Sequence, residues 1–205
     1  MPDQIYEKAT ARSRFVNNRR ALGNRERARQ ARAATLLLLD DSRLTSADTV
    51  AAYWPLGTEP DVRPMIAALL ERDVRVLLPV LLADRDLDWA RYDGDPDALG
   101  DGGAGTRRPP GLTLGADAVL RAQVMVVPAL AVTAAGVRLG RGGGSYDRVL
   151  ARIAAARDAG LATPWTCAFV YEDELGTLEP AAVEPHDRAV DAACAAARLV
   201  EFSGL

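Results

Sequence analysis

The sequence predicts a single α/β domain over 1-205, with a central, mainly parallel sheet flanked by helices and a glycine-rich strand-to-helix phosphate loop. Three observations lead there. The chain has 205 residues, 49% apolar and 26% charged, which suits one medium domain burying about 70% of its unfolded surface. Short apolar, β-branched runs alternate with amphipathic segments, the order expected of βαβ units and a parallel sheet. Finally, four glycines fall within the five positions Gly140 to Gly144, just ahead of a helical pattern.

Taken in order, Glu7 to about Leu22 and Asn24 to Asp40 read as two helices, the first highly charged and the second ending in Leu36-Leu37-Leu38-Leu39. Val50 to Leu56 reads as a buried strand closed by Pro55 and Gly57. Asp61 to Arg72 sets Val62, Met65, Ile66, Leu69 and Leu70 at helical spacing, and Val74 to Leu81 forms the next strand. From Asp84 to Thr106 seven aspartates lie among glycines, with Leu87 to Tyr92 as the one strand, so this stretch reads as a hairpin-like excursion and a mobile loop. Asp93-Gly94-Asp95-Pro96-Asp97 is not a calcium loop, because Ala98 and Ala104 stand where such a loop needs Gly and Glu. Gln123 to Val132 is the most strongly buried strand pattern, with Pro128 ending or bulging it. A helix follows from Tyr146 to Ala159, then a central strand from Thr166 to Tyr171 and an edge strand from Leu199 to Phe202.

Composition excludes several classes of function. The apolar run from Val124 to Val132 is about half the length of a membrane span, and the first residues carry no secretory pattern, so the expected setting is the cytoplasm. Cys167 and Cys194 are too few and too widely spaced for a disulfide framework or a C-x-x-C site, and read as small buried hydrophobes. The lone histidine, His186, argues against His-rich zinc sites, and Ser145 lacks the G-x-S-x-G surroundings of a hydrolase nucleophile. Residues 8 to 32 hold nine basic side chains against Glu26, a net +8, leaving −11 on the rest. That basic segment supports a phosphate-binding reading and, as an alternative, an Arg-rich nucleic-acid-binding protein; the acidic remainder and scarce aromatics make nucleic acid the weaker option.

The segment Arg138-Leu139-Gly140-Arg141-Gly142-Gly143-Gly144-Ser145-Tyr146-Asp147-Arg148 carries the most chemistry. Glycines let backbone N–H groups converge on an anion, and a helix starting there adds its positive end. Arg138, Arg141 and Arg148 supply charge, with Asp147 available to a magnesium ion. Walker A is excluded for want of a lysine, and the Rossmann fingerprint because its third glycine would fall at Ser145. A purely structural turn remains the alternative.

This segment resembles the R-L-G-R-G-x-G-Y-Y-D signature of the 5-formyltetrahydrofolate cyclo-ligase family, also called methenyltetrahydrofolate synthetase. Lys8-Ala9-Thr10-Ala11-Arg12 is similar to its Lys-x-x-Leu-Arg motif, Tyr53-Trp54-Pro55-Leu56-Gly57-Thr58-Glu59 to its folate-holding stretch, and Glu184-Pro185-His186-Asp187-Arg188-Ala189-Val190-Asp191 to its E-P-H-D-x-x-V-D block. The resemblance implies ATP- and Mg2+-dependent closure of 5-formyltetrahydrofolate to 5,10-methenyltetrahydrofolate, with ADP and phosphate released. It implies Lys8, Arg12, Arg138 and Arg141 as phosphate charges, with Lys8 and Arg141 the catalytic pair. Gly140, Gly142, Gly143, Gly144, Ser145 and Tyr146 would complete the nucleotide site, Trp54 and Glu59 would hold the folate, and Asp147 and Asp187 the magnesium ion. A monomer is expected. The chain departs from the family pattern at Ser145, where an aromatic is usual, and at Arg107-Arg108-Pro109-Pro110, where a glutamate usually precedes the loop proline. Those departures motivate a further alternative, a divergent folate- or nucleotide-binding paralogue without turnover.

Overall fold

The computed structural model describes residues 2–184 and 187–202. It opens with two helices, α1 (Pro2–Ala21) and α2 (Asn24–Asp40), turned by Gly23 at φ 60°, and a short helix α3 (Ser42–Thr45) capped by the Asp41 carboxylate, which accepts the Arg43 N–H at 2.9 Å. Then come β1 (Thr49–Ala51), α4 (Arg63–Leu70), β2 (Arg75–Leu81) and β3 (Leu87–Tyr92). Two short hairpins, β4 (Gly100–Asp101) with β5 (Arg107–Arg108) and β7 (Ala131–Val132) with β8 (Arg138–Leu139), flank β6 (Val124–Pro128). The chain continues through α5 (Ser145–Asp158), β9 (Trp165–Val170), β10 (Ala192–Ala195) and β11 (Arg198–Glu201).

Seven strands form one sheet in the order β11-β10-β9-β6-β1-β2-β3. Strands β10, β9, β6, β1 and β2 are mutually parallel, while the edges β11 and β3 run antiparallel, so the mainly parallel sheet anticipated from the βαβ order is present. Alternate residues of the central strands enter two separate cores. Val50, Val124, Val126, Cys167 and Phe169 pack with Leu38, Met65 and Leu69 of α2 and α4, whereas Ala51, Met125, Val127, Ala168 and Val170 pack with Val149, Leu150 and Ile153 of α5. Both cysteines are buried, as their sparse placement suggested.

The chain order reverses between β1 and β6, which is where open α/β sheets leave a crevice beyond the carboxyl ends of their strands. α1 lies near that end, its buried Phe15 packed with Leu130, Ala131, Leu139, Leu178 and Ala182.

Several boundaries differ from expectation. β1 ends at Ala51 rather than Leu56, because the chain folds back so that the Tyr53 hydroxyl donates to the Pro60 carbonyl at 2.7 Å. The glycine-rich segment does not follow the buried strand directly, since the β7–β8 hairpin intervenes. Ala192–Ala195 forms an inner strand that the sequence reading left unassigned, alanine being a poor strand former. Among the described residues, no helix is long and apolar enough to cross a membrane.

Candidate active site

A cavity of about 520 Å³ opens at the crevice and collects side chains from across the sequence. α1 contributes Lys8, Arg12 and Arg19, the segment after β1 supplies Tyr53, Trp54, Leu56 and Glu59, and the other wall runs from Arg138 through Gly140–Gly144 into Ser145, Tyr146 and Asp147. Asp187 also lines it. All fourteen residues that the resemblance implied for the site therefore border one cavity, and Lys8 and Arg141 share it despite their separation in sequence, whereas Arg148, read as a further charge at the glycine loop, does not line it and donates to the Asp84 carbonyl at 2.6 Å.

The contact between α1 and the glycine loop is direct. Arg12 Nε donates to the Gly140 carbonyl at 3.1 Å, and a Cβ added at Gly142 would sit 3.4 Å from Arg12 Cζ. Gly142 has φ 99° and Gly144, capping α5, has φ 76°, conformations that side chains disfavour. Gly140 is constrained differently, because a Cβ there would lie 2.7 Å from Arg138 Nη1. The loop is thus bare backbone pressed between two guanidinium groups, at the positive end of a 14-residue helix.

Charge in the cavity is mostly paired. Lys8 is buried, and its ammonium donates to Glu184 at 2.5 Å and to both Asp187 oxygens at 2.7 Å. Arg138, equally buried, holds Asp147 at 2.9 Å and sits 5.6 Å from the Tyr146 ring centre. Burial pulls the Arg138 guanidinium below its usual pKa while Asp147 opposes the shift; the group stays protonated at any working pH. Its Nε is buried without a hydrogen-bond partner among the described residues, an uncompensated donor beneath the glycine loop. Burial also pushes the Tyr146 and Tyr53 phenols upward.

At the other wall, Glu59 Oε2 accepts the Leu56 N–H at 2.8 Å, and Oε1 lies 3.5 Å from Arg141. Burial raises its pKa above the ordinary carboxylate value, with the Leu56 N–H and the Arg141 charge pulling back. Trp54 packs edge-on to Tyr92, with ring centres 5.5 Å apart, and with Leu56, Pro79, Leu81 and Leu87 makes an apolar lobe.

Among the described residues, no three carboxylate, histidine or cysteine groups gather as a metal cluster. Asp147 and Asp187 nevertheless suit a magnesium ion, which is commonly held by one or two carboxylates together with phosphate oxygens and water.

The sequence reading missed Arg19, Glu184 and Arg107. Arg19 donates to both oxygens of buried Glu174, at 2.6 and 2.8 Å, and to the Ala129 carbonyl. Its signal was available, since Lys8, Arg12, Phe15 and Arg19 fall at steps of four, three and four on one helix face. Glu184 lay within the C-terminal block without a role, and Arg107 was noted only as a departure. His186 lies outside the described residues.

Comparisons with known proteins bear on the family and the fold. Residues 4–196 match the model of the 5-formyltetrahydrofolate cyclo-ligase family. A curated 5-formyltetrahydrofolate cyclo-ligase from Mycolicibacterium smegmatis is 38% identical over 188 residues, covering 89% of this chain and 90% of that one. Among solved structures, 5,10-methenyltetrahydrofolate synthetase from Aquifex aeolicus superposes with a TM-score of 0.78 at 23% identity, covering 97% of this chain and 94% of that one. The Mycoplasma pneumoniae 5,10-methenyltetrahydrofolate synthetase gives 0.68 at 18% identity, covering 92% and 98%.

Proposed function

This chain belongs to the 5-formyltetrahydrofolate cyclo-ligase family, and we infer from that premise and the cavity that it converts 5-formyltetrahydrofolate and ATP to 5,10-methenyltetrahydrofolate, ADP and phosphate. The formyl group is amide-like and its oxygen leaves poorly, so ring closure needs activation. The formyl oxygen takes the γ-phosphoryl group, N10 attacks the activated carbon and loses its proton, and the C–O bond breaks to release phosphate. Such chemistry asks a protein mainly for alignment and charge neutralisation.

The observation that carries this reading is the meeting of α1 with the glycine loop in the cavity that also holds Trp54 and Glu59. Lys8, Arg12, Arg138 and Arg141 would neutralise the polyphosphate, with Lys8 and Arg141 following the charge that migrates with the transferred group. Gly140 and Gly142–Gly144 would present backbone N–H groups, and Ser145 and Tyr146 would border the nucleotide. Asp147 and Asp187 would hold a magnesium ion, which when bound supplies further neutralisation of phosphate charge. Glu59 would accept hydrogen bonds from pterin N–H groups while Trp54 lines the ring's apolar face.

The direct test follows methenyl absorbance with purified protein, 5-formyltetrahydrofolate and magnesium, with and without ATP. Product that depends on ATP is expected. Folded protein that binds 5-formyltetrahydrofolate without making product or hydrolysing ATP would instead identify the paralogue without turnover.

A further inference from the structure

Two carboxylates claim Lys8, and only one of them faces the cavity. The buried ammonium donates to both Asp187 oxygens at 2.7 Å and to Glu184 Oε2 at 2.5 Å. Asp187 lines the cavity, whereas Glu184 does not. The two acids are tied into one unit, since the Glu184 N–H donates to Asp187 Oδ2 at 2.8 Å and the Asp187 N–H to the Glu184 carbonyl at 2.9 Å. That unit follows the turn Pro180–Ala182, where Ala182 packs with Phe15, so the face of α1 that carries Lys8 is seated on the segment leading into both acids. Asp147, the other carboxylate suited to magnesium, is likewise already held by a cation, Arg138.

Charge balance gives the two acids distinct duties. A magnesium ion on Asp187 needs the oxygens that Lys8 now occupies, so the ammonium has to give them up. An ammonium this deeply buried is costly to leave without a counter-ion. Glu184, standing outside the cavity, keeps its hold on Lys8 when Asp187 turns to the metal. We propose that Glu184 is a positioning residue, retaining the Lys8 ammonium at the phosphate site while Asp187 is released to magnesium. The inference rests on the function proposed above, in which Lys8 meets the triphosphate. Without the Glu184 charge, Lys8 would depend on Asp187, and ammonium and metal would compete for one carboxylate.

The test measures ATP affinity by titration calorimetry, first in EDTA and then in magnesium, with folate left out so that no turnover occurs. In Glu184→Gln, ATP in EDTA should bind at least as tightly as to the parent, because one repelling charge is gone. The gain in affinity on adding magnesium should be smaller than the parent's by about fivefold or more, the scale of one partly exposed ion pair. A merely structural loss would weaken both measurements together and leave the gain intact. Glu184→Asp should restore part of the gain. Action through Lys8 is read from a double-mutant cycle, since in a Lys8→Met background Glu184→Gln should leave the gain unchanged. If Glu184→Gln keeps the parent's gain, or lowers it equally in the Lys8→Met background, the inference is overturned while the proposed function stands. A parent that gains nothing from magnesium overturns it too, and a folded parent that binds no ATP would remove the function as well.

Discussion

The Arg19–Glu174 pair offers the sharpest test of how α1 is held. Both side chains are buried, with exposures of 2% and 3%, and their two hydrogen bonds are supplemented by the Ala129 carbonyl on Arg19 and the Tyr171 N–H on Glu174. Burial works against the Arg19 charge, but the hydrogen bond and charge of Glu174 more than offset it, so its pKa is raised. Replacing Glu174 by Leu leaves that guanidinium buried and unpaired, a loss of about 3–5 kcal/mol. In a chain of this size each kcal/mol lowers Tm by about 2–4 °C, so the fall should be about 6–20 °C. A double variant, Arg19→Met with Glu174→Leu, removes both charges and should recover most of that stability. Lys8 lies about 16 Å along the same helix face at about 1.5 Å per residue, so a pair that fixes the helix's rotation also aims Lys8 and Arg12. The double variant should therefore regain Tm while KM for ATP remains raised. Calorimetry with steady-state kinetics reads both. A single variant as stable as the parent would refute the energetics, and parental ATP kinetics in the stable double variant would reduce the pair to a structural role.

Other outcomes follow from the same geometry. Glu59 has a folded pKa above its ordinary value of 4.5, so its contribution to stability is fully present below that pH and is lost as pH rises through the folded value. Glu59→Gln should accordingly raise Tm at pH 7, with a smaller difference near pH 4, while weakening 5-formyltetrahydrofolate binding about tenfold or more, as for loss of a charged hydrogen bond; equal effects at both pH values would contradict the burial argument. Gly142→Ala places a side chain at φ 99° against Arg12; strain of about 1–3 kcal/mol should raise KM for ATP with little change in folate binding, as kinetics with each substrate varied in turn would measure. Adding magnesium should tighten ATP binding to the parent, and Asp187→Asn should blunt that gain; an undiminished gain in a titration with and without the metal would remove Asp187 from the metal role.

Much of the fold was legible because periodicity and breakers agreed. Asn24–Asp40 and Leu87–Tyr92 appear at the expected bounds, and α5 begins and ends one residue earlier than anticipated. Strand β10 escaped because its four residues, three alanines and Cys194, carry little local preference and are fixed only by pairing with β9 and β11. The early end of β1 likewise depends on a tertiary bond from Tyr53. For the site, the resemblance named residues on separate segments, but local spacing holds no information that Lys8 meets Asp187 or that Arg12 meets Gly140. Those meetings arise from the sheet order, which brings the ends of β1 and β6 together beneath α1. Arg19 was visible as a helical stripe and was passed over among eight other basic residues. Arg107 stood out only as a departure, and the hairpin gives it a place.

The central claim is that one cavity holds two ligands through separate groups, the triphosphate by Lys8 and the glycine loop, the folate by Trp54 and Glu59. Titration calorimetry of magnesium-ATP and of 5-formyltetrahydrofolate, each against the parent, Lys8→Ala and Glu59→Ala, tests it most directly. Lys8→Ala should lose ATP affinity and keep folate affinity, and Glu59→Ala should do the reverse. Parental affinity of both variants for both ligands would contradict the account.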